Sequence, residues 1–198
     1  MASSESALVV LVPEAEVLVQ PFRDKYDPSA AMGMPAHVTL LYPFLAPDEI
    51  GSAVLADLRT CFRRFPPFRF TLAETRRFPG VLYLGPEPDE PFRELTVAIW
   101  NRYPDYPPYG GRHIEIVPHL SVAFLADEQE VHAVATEFLR ASTGQPPIQA
   151  TTREAALMDN SSGHWQVRSM LRFGNHDRVP TSWSAGLEPT ILPRSERS

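Results

Sequence analysis

The sequence predicts an α+β fold in which one structural unit occurs twice. Two similar motifs indicate the repeat: residues 34–45 read MPAHVTLLYPFL, and residues 117–125 read VPHLSVAFL. Each motif places a histidine at the start of an apolar strand and a hydroxyl residue two positions later. Because some strand runs follow one another without an intervening helix, we expect a mixed or antiparallel sheet rather than a doubly wound parallel one.

The first half of the chain has the order strand, helix, Pro/Gly-rich loop, histidine strand, helix, strand. Apolar periodicity and the positions of proline and glycine set the element boundaries. They predict a strand at 7–12, a helix from 13 to about 26, an irregular loop at 27–36, a strand from 37, a helix from about 48 to 65, and strands near 68–77 and 81–85.

The second half repeats this order when the halves are aligned on their histidines, which lie 82 residues apart. Asp48 and Asp127 each stand where a helix N-cap is expected, with acidic residues in the following turn. The tail at 174–198 has three prolines and little periodicity, so we expect one domain over 1–173 and an extended or disordered tail. The elements predicted here are a helix near 91–102, a loop at 103–113, a strand from 119, a helix from about 127 to 141, and strands near 148–158 and 164–173.

Composition and charge restrict the class of protein. With 43% hydrophobic and 21% charged residues, the chain resembles an ordinary globular domain. A formal net charge of −6 argues against binding long duplex nucleic acid, which draws on many Lys and Arg contacts to phosphates. The single cysteine, Cys61, excludes an intrachain disulfide, and the apolar run at 7–12 is too short for a signal peptide or a membrane span. We expect a cytoplasmic monomer that does not bind membranes.

A local cluster of arginines departs from this acidic balance. Two interpretations are open: a solvated helix face followed by a strand end, or a patch that attracts phosphate groups. The cluster consists of Arg59, Arg63, Arg64, Arg69, Arg76 and Arg77.

The pleat of a β-strand gives each motif a defined chemistry. Residues two apart point to the same face, so His37 lies beside Thr39 and His119 beside Ser121. Displacement at phosphorus needs a base for the attacking oxygen and an acid for the leaving oxygen, and two imidazoles can supply both near neutral pH. The hydroxyls can donate to the non-bridging oxygens, where charge builds in the transition state. This arrangement requires no metal.

The two motifs, HVT and HLS, together with the flanking sequence YPPYGGRHIEIVPHLSVAF, resemble the 2H phosphoesterase superfamily. The resemblance covers roughly residues 7–173 and is to the branch of 2'-5' RNA ligase-like proteins and cyclic phosphodiesterases. It implies a bilobal fold of two pseudo-symmetric lobes, each with a mostly antiparallel sheet and helices outside, and an active groove between the sheets. It also implies that no cofactor is needed.

The implied activity is hydrolysis of a 2',3'-cyclic phosphate to a 2'-phosphate, or processing of a 2'-5' phosphodiester. The substrate would be a nucleotide or RNA-end cyclic phosphate. In this resemblance His37 is the acid and His119 the base, or the reverse, while Thr39 and Ser121 hold the phosphate. Family members that act on RNA ends often have a basic residue five positions after the second histidine, where this chain has Phe124.

Aromatic residues near the motifs are candidates for stacking a nucleobase. We assign Tyr109, Phe124 and Trp165 to substrate binding. Tyr42 and Phe44 are assigned to the core, because their spacing from the first histidine puts them on the opposite strand face unless the strand bulges.

Two other functions are open at this point. The chain could be a non-catalytic module that binds a nucleotide or an RNA end on the same fold. A metal-dependent hydrolase that uses His113 is the weaker alternative, because the sequence around it has no spacing that favours a metal.

Overall fold

The computed structural model describes residues 4–112 and 115–174. It contains eight strands and five α-helices in these ranges, together with 3-10 turns at Pro13–Ala15, Pro47–Glu49 and Pro108–Gly111. The elements in chain order are β1 Ser6–Leu11, α1 Glu16–Tyr26, α2 Pro28–Ala31, β2 His37–Leu41, α3 Ser52–Phe62, β3 Phe68–Phe78, β4 Val81–Glu87, α4 Glu90–Arg102, β5 Leu120–Phe124, α5 Glu128–Ser142, β6 Ile148–Thr152, β7 Glu154–Asp159 and β8 Gln166–Arg172.

The strands form two four-stranded antiparallel sheets, which confirms the predicted bilobal α+β fold. Sheet A has the order β2, β1, β7, β8, and sheet B has the order β5, β4, β3, β6. In each sheet the histidine strand is at one edge, next to the strand that precedes it in the chain. Strand β3 of the first half lies in sheet B, and strands β7 and β8 of the second half lie in sheet A, so the two lobes exchange strands.

The two sheets meet along their histidine strands. Strand β2 contacts β5, helix α1 packs against β5, and helix α4 packs against β2. One large apolar core, which includes Leu8 and Val38 of sheet A and Phe70 and Leu84 of sheet B, runs behind both sheets. The opposite face of each sheet carries the motif residues, and we call it the groove face.

A bulge in β2 changes which residues reach the groove face. Thr39 pairs with Val9, but Leu41 pairs with Leu8, so Leu40 is an extra residue and the alternation reverses after it. Tyr42 therefore returns to the groove face, and its assignment to the main core is wrong. Phe44 is in the main core, as predicted, with 4% of its surface exposed.

Two other local expectations were wrong. The loop at 27–36 contains the short helix α2, because Asp27 accepts a hydrogen bond from the Ser29 amide and Pro28 supplies a pre-set first helical residue. Helix α3 starts at Ser52 behind Gly51, so Asp48 lies in a 3-10 turn rather than at the N-cap. The N-cap at Asp127 is confirmed by its bond from the Gln129 amide.

The strand predicted at 148–158 is two strands. The strand is interrupted at Arg153. Strand β6 is the edge strand of sheet B, and β7 lies between two other strands in sheet A. The tail expected after Phe173 falls almost wholly outside the described residues, which end at Gly174. Within the described ranges, every helix is too short or too polar to span a bilayer.

Candidate active site

Both histidines are held in the same local geometry. Nδ1 of His37 lies 2.7 Å from the carbonyl oxygen of Pro35, and Nδ1 of His119 lies 2.8 Å from that of Val117. A carbonyl oxygen can only accept, so each Nδ1 carries the proton and donates. Nε2 is therefore the nitrogen that each ring offers for proton transfer.

The two imidazoles are close enough to interact across the junction of the sheets. A positive charge on His119 lowers the pKa of His37, and the strands that bear the two residues are in contact. The structure thus brings together one histidine from each half of the chain.

The surroundings of His37 favour its neutral form. Burial lowers the pKa of His37 to about 4, and the nearby Arg23 guanidinium acts in the same direction, against the opposing effects of the Pro35 carbonyl and Asp27. Arg23 and Asp27 form a buried ion pair of 2.9 Å, with side chains 1% and 2% exposed. Nη1 of Arg23 is buried and has no hydrogen-bond partner among the described residues.

His119 lies among aromatic rings instead. The ring centroids of Phe78 and Tyr83 are 5.3 and 5.4 Å from its imidazole, both in edge geometry, and Tyr109 stacks at 6.1 Å with an interplanar angle of 23°. The surroundings of His119 are thus aromatic, whereas Arg23 and Asp27 act on His37.

The two motif hydroxyls occupy matching positions. Thr39 and Ser121 are both half-buried on the groove faces, Thr39 opposite Val9 and Ser121 opposite Tyr83. Each hydroxyl follows its histidine by one pleat, so each lobe presents one imidazole and one hydroxyl on its groove face.

Tyr109 links the two motifs. Its phenol is hydrogen-bonded to Thr39, its ring stacks on His119, and its amide donates to the Tyr42 carbonyl at 2.7 Å. Burial raises the pKa of Tyr109 to about 12, so the phenol keeps its proton at neutral pH. Its φ of +52° is unusual for a residue other than glycine, and Gly110 and Gly111 continue the left-handed turn.

The other two aromatic candidates lie on opposite walls of the groove. Trp165 packs 6.3 Å from Tyr42 in a small apolar cluster on sheet A, and its amide donates to the Met32 carbonyl at 2.7 Å. On sheet B, Tyr83 pairs with Ser121 while Val81 pairs with Phe124. Val122 is therefore an extra, bulged residue in β5. Because of this bulge Phe124, which is 44% exposed, lies on the same groove face as Ser121.

Several residues at the site carried no clear signal in the sequence. Arg23 and Asp27 are four apart on a helix, a spacing typical of exposed pairs, so their burial was not foreseen. Phe78 and Tyr83 reach His119 only through strand pairing. His113 lies outside the described residues, and the side chains described include no group of three His, Cys, Asp or Glu residues placed to hold a metal ion.

Comparison with known proteins defines the class. A Bacillus licheniformis protein named "Putative phosphoesterase" is 26% identical over 173 residues, covering 84% of this chain and 97% of its own length. A Bacillus pumilus protein of the same name is 28% identical over 172 residues, covering 84% and 96%. The crystal structures of E. coli LigT with 3'-AMP and with ATP share the fold, with TM-scores of 0.54 and 0.55 and identities of 17% and 16%, each covering 88% of this chain and 100% of LigT.

These similarities indicate a phosphoesterase of the LigT-like fold. Residues 11–164 match the sequence profile of the 2'-5' RNA ligase superfamily. The chain belongs to this superfamily, which is the 2H phosphoesterase group that the two motifs resemble.

Proposed function

We propose that this protein hydrolyses a 2',3'-cyclic phosphate to a 2'-phosphate and that the two histidines perform the proton transfers without a metal. The observation that carries the proposal is the matched pair of Nδ1–carbonyl bonds, which leaves Nε2 of both His37 and His119 for proton transfer at the junction of the two lobes. One neutral and one protonated imidazole are the complete acid–base set for displacement at phosphorus. Processing of a 2'-5' phosphodiester is the related reaction that the same groups would support.

The surroundings of the two rings favour His37 as the base and His119 as the acid. Nε2 of neutral His37 takes a proton from water as the water oxygen forms a bond to phosphorus. The bond from phosphorus to the 3'-oxygen breaks, and Nε2 of protonated His119 donates its proton to that oxygen. The product is a 2'-phosphate and a free 3'-hydroxyl, and transfer of the proton from His37 back to His119 through solvent restores the starting state.

The hydroxyls stabilise the negative charge that develops on the phosphate. Thr39 and Ser121 donate to the two non-bridging oxygens, one from each lobe. The Tyr109 phenol keeps its proton at neutral pH, and while it is bonded to Thr39 one of these two hydroxyls remains free to donate to the phosphate. The bound anion also raises the basicity of His37 during the reaction.

The nucleobase is placed by the aromatic residues on the rim. Trp165 with Tyr42 forms an apolar surface beside the first motif, and Phe124 lies exposed beside the second. Aromatic rings stack bases with little regard to sequence. The LigT structures with 3'-AMP and ATP support a nucleotide as the substrate.

A binding module without turnover is the second candidate. The bond between Tyr109 and Thr39 favours it, because this bond occupies a hydroxyl that the reaction needs. The two candidates differ in one respect: both bind a nucleotide, and only the enzyme consumes it.

The test is turnover of adenosine 2',3'-cyclic phosphate in buffer with EDTA. His37→Ala and His119→Ala should each abolish hydrolysis while circular dichroism shows an intact fold. His132→Ala is the matched control, because His132 is exposed on α5 away from the groove. Retained turnover in either motif variant would defeat the proposal, and nucleotide binding with no turnover by the unmodified protein would favour the binding module.

A further inference from the structure

A row of paired residues on the groove face of sheet B connects the second motif to an arginine. Ser121 pairs with Tyr83 of β4, and Tyr83 pairs with Arg76 of β3. Directly opposed residues of antiparallel strands share one face, so Arg76 lies on the same face as Ser121. Two strand spacings of about 4.8 Å separate their backbones, about 10 Å in total.

The Arg76 side chain extends along β4 from Tyr83 toward Gly85. The guanidinium fits there because Gly85 has no side chain. A Cβ at Gly85 would lie 3.0 Å from Nη1 and 3.2 Å from Cζ of Arg76, so the cation rests against the backbone of β4. Leu84 pairs with Leu120, which puts Gly85 level with His119. The cation is therefore about one strand spacing, roughly 5 Å, beyond the second histidine on the side away from β2.

Exposed carboxylates hold Arg76 in this position. Its Nη2 lies 2.9 Å from Glu74 and 2.9 Å from Glu87, and its Nε also donates to Glu74. The three side chains are 36%, 67% and 56% exposed, so each ion pair contributes little and can be exchanged. A phosphate group can replace one carboxylate, since an arginine fork binds phosphate through charge-assisted bidentate bonds.

We propose that Arg76 binds a second phosphate of the substrate, the phosphodiester next to the cyclic phosphate. This inference rests on the proposed function, which places the reacting phosphate between β2 and β5. Arg76 lies over β4, which is one strand farther from β2 than β5 is. It would therefore contact the next phosphate of the substrate rather than the reacting one. The preferred substrate is then a cyclic-phosphate-ended oligonucleotide rather than a mononucleotide.

The local charge decides which kind of phosphate fits. Arg76 with Glu74 and Glu87 carries a formal charge of −1, which repels a phosphomonoester of charge near −2 more than a singly charged phosphodiester. Arg76 places a cation from the first half of the chain on the same groove face as Ser121.

The test compares adenosine 2',3'-cyclic phosphate with the dinucleotide ApA 2',3'-cyclic phosphate. For Arg76→Ala we expect kcat/KM on the dinucleotide to fall about 10- to 100-fold, through KM, while the mononucleotide changes less than about three-fold. Gly85→Ala should act in the same direction, because it displaces the guanidinium without straining the backbone. Arg77→Ala is the matched control, since Arg77 is the next residue of β3 and points to the opposite face.

Binding of the 2'-phosphorylated products by calorimetry tests Arg76 independently of turnover. Removal of one phosphate contact should lower the slope of log Kd against log salt for the dinucleotide product by about 0.7. Equal losses on both substrates, or no loss on either, would overturn the assignment of Arg76. Absence of hydrolysis in the unmodified protein would instead count against the proposed function, and the binding data would still decide the role of Arg76.

Discussion

The two lobes place their histidines with the same backbone geometry but surround them differently. His37 is half-buried near the Arg23–Asp27 ion pair, and the groove face of its sheet is covered by an apolar cluster. His119 lies in an aromatic cage, and the groove face of its sheet carries charged residues around Arg76. Matching strands thus fix the positions of the two rings, while the residues around them differ: a charged pair lies near His37 and aromatic rings surround His119.

The largest expected effect separates the roles of the two histidines. His37→Gln and His119→Gln should each lower kcat for a cyclic nucleotide about 10²- to 10⁴-fold. A p-nitrophenyl phosphodiester has a leaving group that needs no proton, so the defect of His119→Gln should shrink to less than about ten-fold with this substrate. The defect of His37→Gln should persist, because water must still be deprotonated.

Both variants are measured on both substrates to check this division of roles. Nitrophenolate release reports turnover of the p-nitrophenyl phosphodiester, and chromatography reports turnover of the cyclic nucleotide. The opposite pattern, with rescue of the His37 variant alone, would reverse the assignment of acid and base. Equal rescue of both would show that neither ring has a distinct role.

The next effect concerns the buried charge beside His37. Arg23→Met should destabilise the protein by about 3–5 kcal/mol, because it leaves the buried Asp27 carboxylate without its cationic partner. The double variant Arg23→Met/Asp27→Asn should recover much of this loss. Urea unfolding gives the free energies directly.

An exposed pair with the same spacing is the control for this prediction. Arg93 and Asp89 are also four apart, but the Arg93 side chain is 51% exposed, so Arg93→Met should cost less than about 1 kcal/mol. Similar costs for Arg93→Met and Arg23→Met would show that the ion pair beside His37 has no special energetic weight.

The stability of the protein should depend on pH through His37. The pKa of His37 is about 4 in the folded protein and near the usual 6.5 when unfolded, so between these values the unfolded chain binds a proton that the folded chain does not. Stability should therefore rise as pH increases from 4 to 6.5 and then level off. His37→Gln should lose this part of the rise, and an unchanged pH dependence in urea unfolding would show that His37 is not held neutral by the fold.

The smallest effect is on the apolar wall of sheet A. Trp165→Ala should weaken binding of adenosine 2',3'-cyclic phosphate by about 1–3 kcal/mol, the usual contribution of one stacked base. Leu139→Ala is the control, since Leu139 is an apolar residue that is 54% exposed on α5. If KM changes equally in the two variants, sheet A does not hold the base.

The sequence predicted the parts of the fold that depend on local pattern. Short apolar runs predict strands β2 and β5. The N-cap Asp127 and the acidic residues after it predict helix α5. The exchange of β3 for β7 and β8 between the sheets could not be predicted, because strand pairing depends on contacts distant along the chain.

The bulges that decide which residues lie on the groove faces could not be predicted from the sequence either. Bulges after Thr39 and after Ser121 bring Tyr42 and Phe124 to the groove, and nothing in the apolar pattern indicates an extra residue in a strand. The position of Arg76 on the same face as Ser121 depends on the pairing of three strands, β3, β4 and β5. Tyr109 was identified only because its Pro/Gly-rich loop precedes the second motif so closely.

The most direct test of the account is the identity of the product. Incubation of adenosine 2',3'-cyclic phosphate with the protein and EDTA in ¹⁸O-labelled water, followed by ³¹P NMR and mass spectrometry, reports which phosphorus–oxygen bond breaks. Attack by water at phosphorus with loss of the 3'-oxygen predicts adenosine 2'-phosphate with one ¹⁸O on the phosphate. Adenosine 3'-phosphate as the product, or unconsumed cyclic nucleotide, would contradict it.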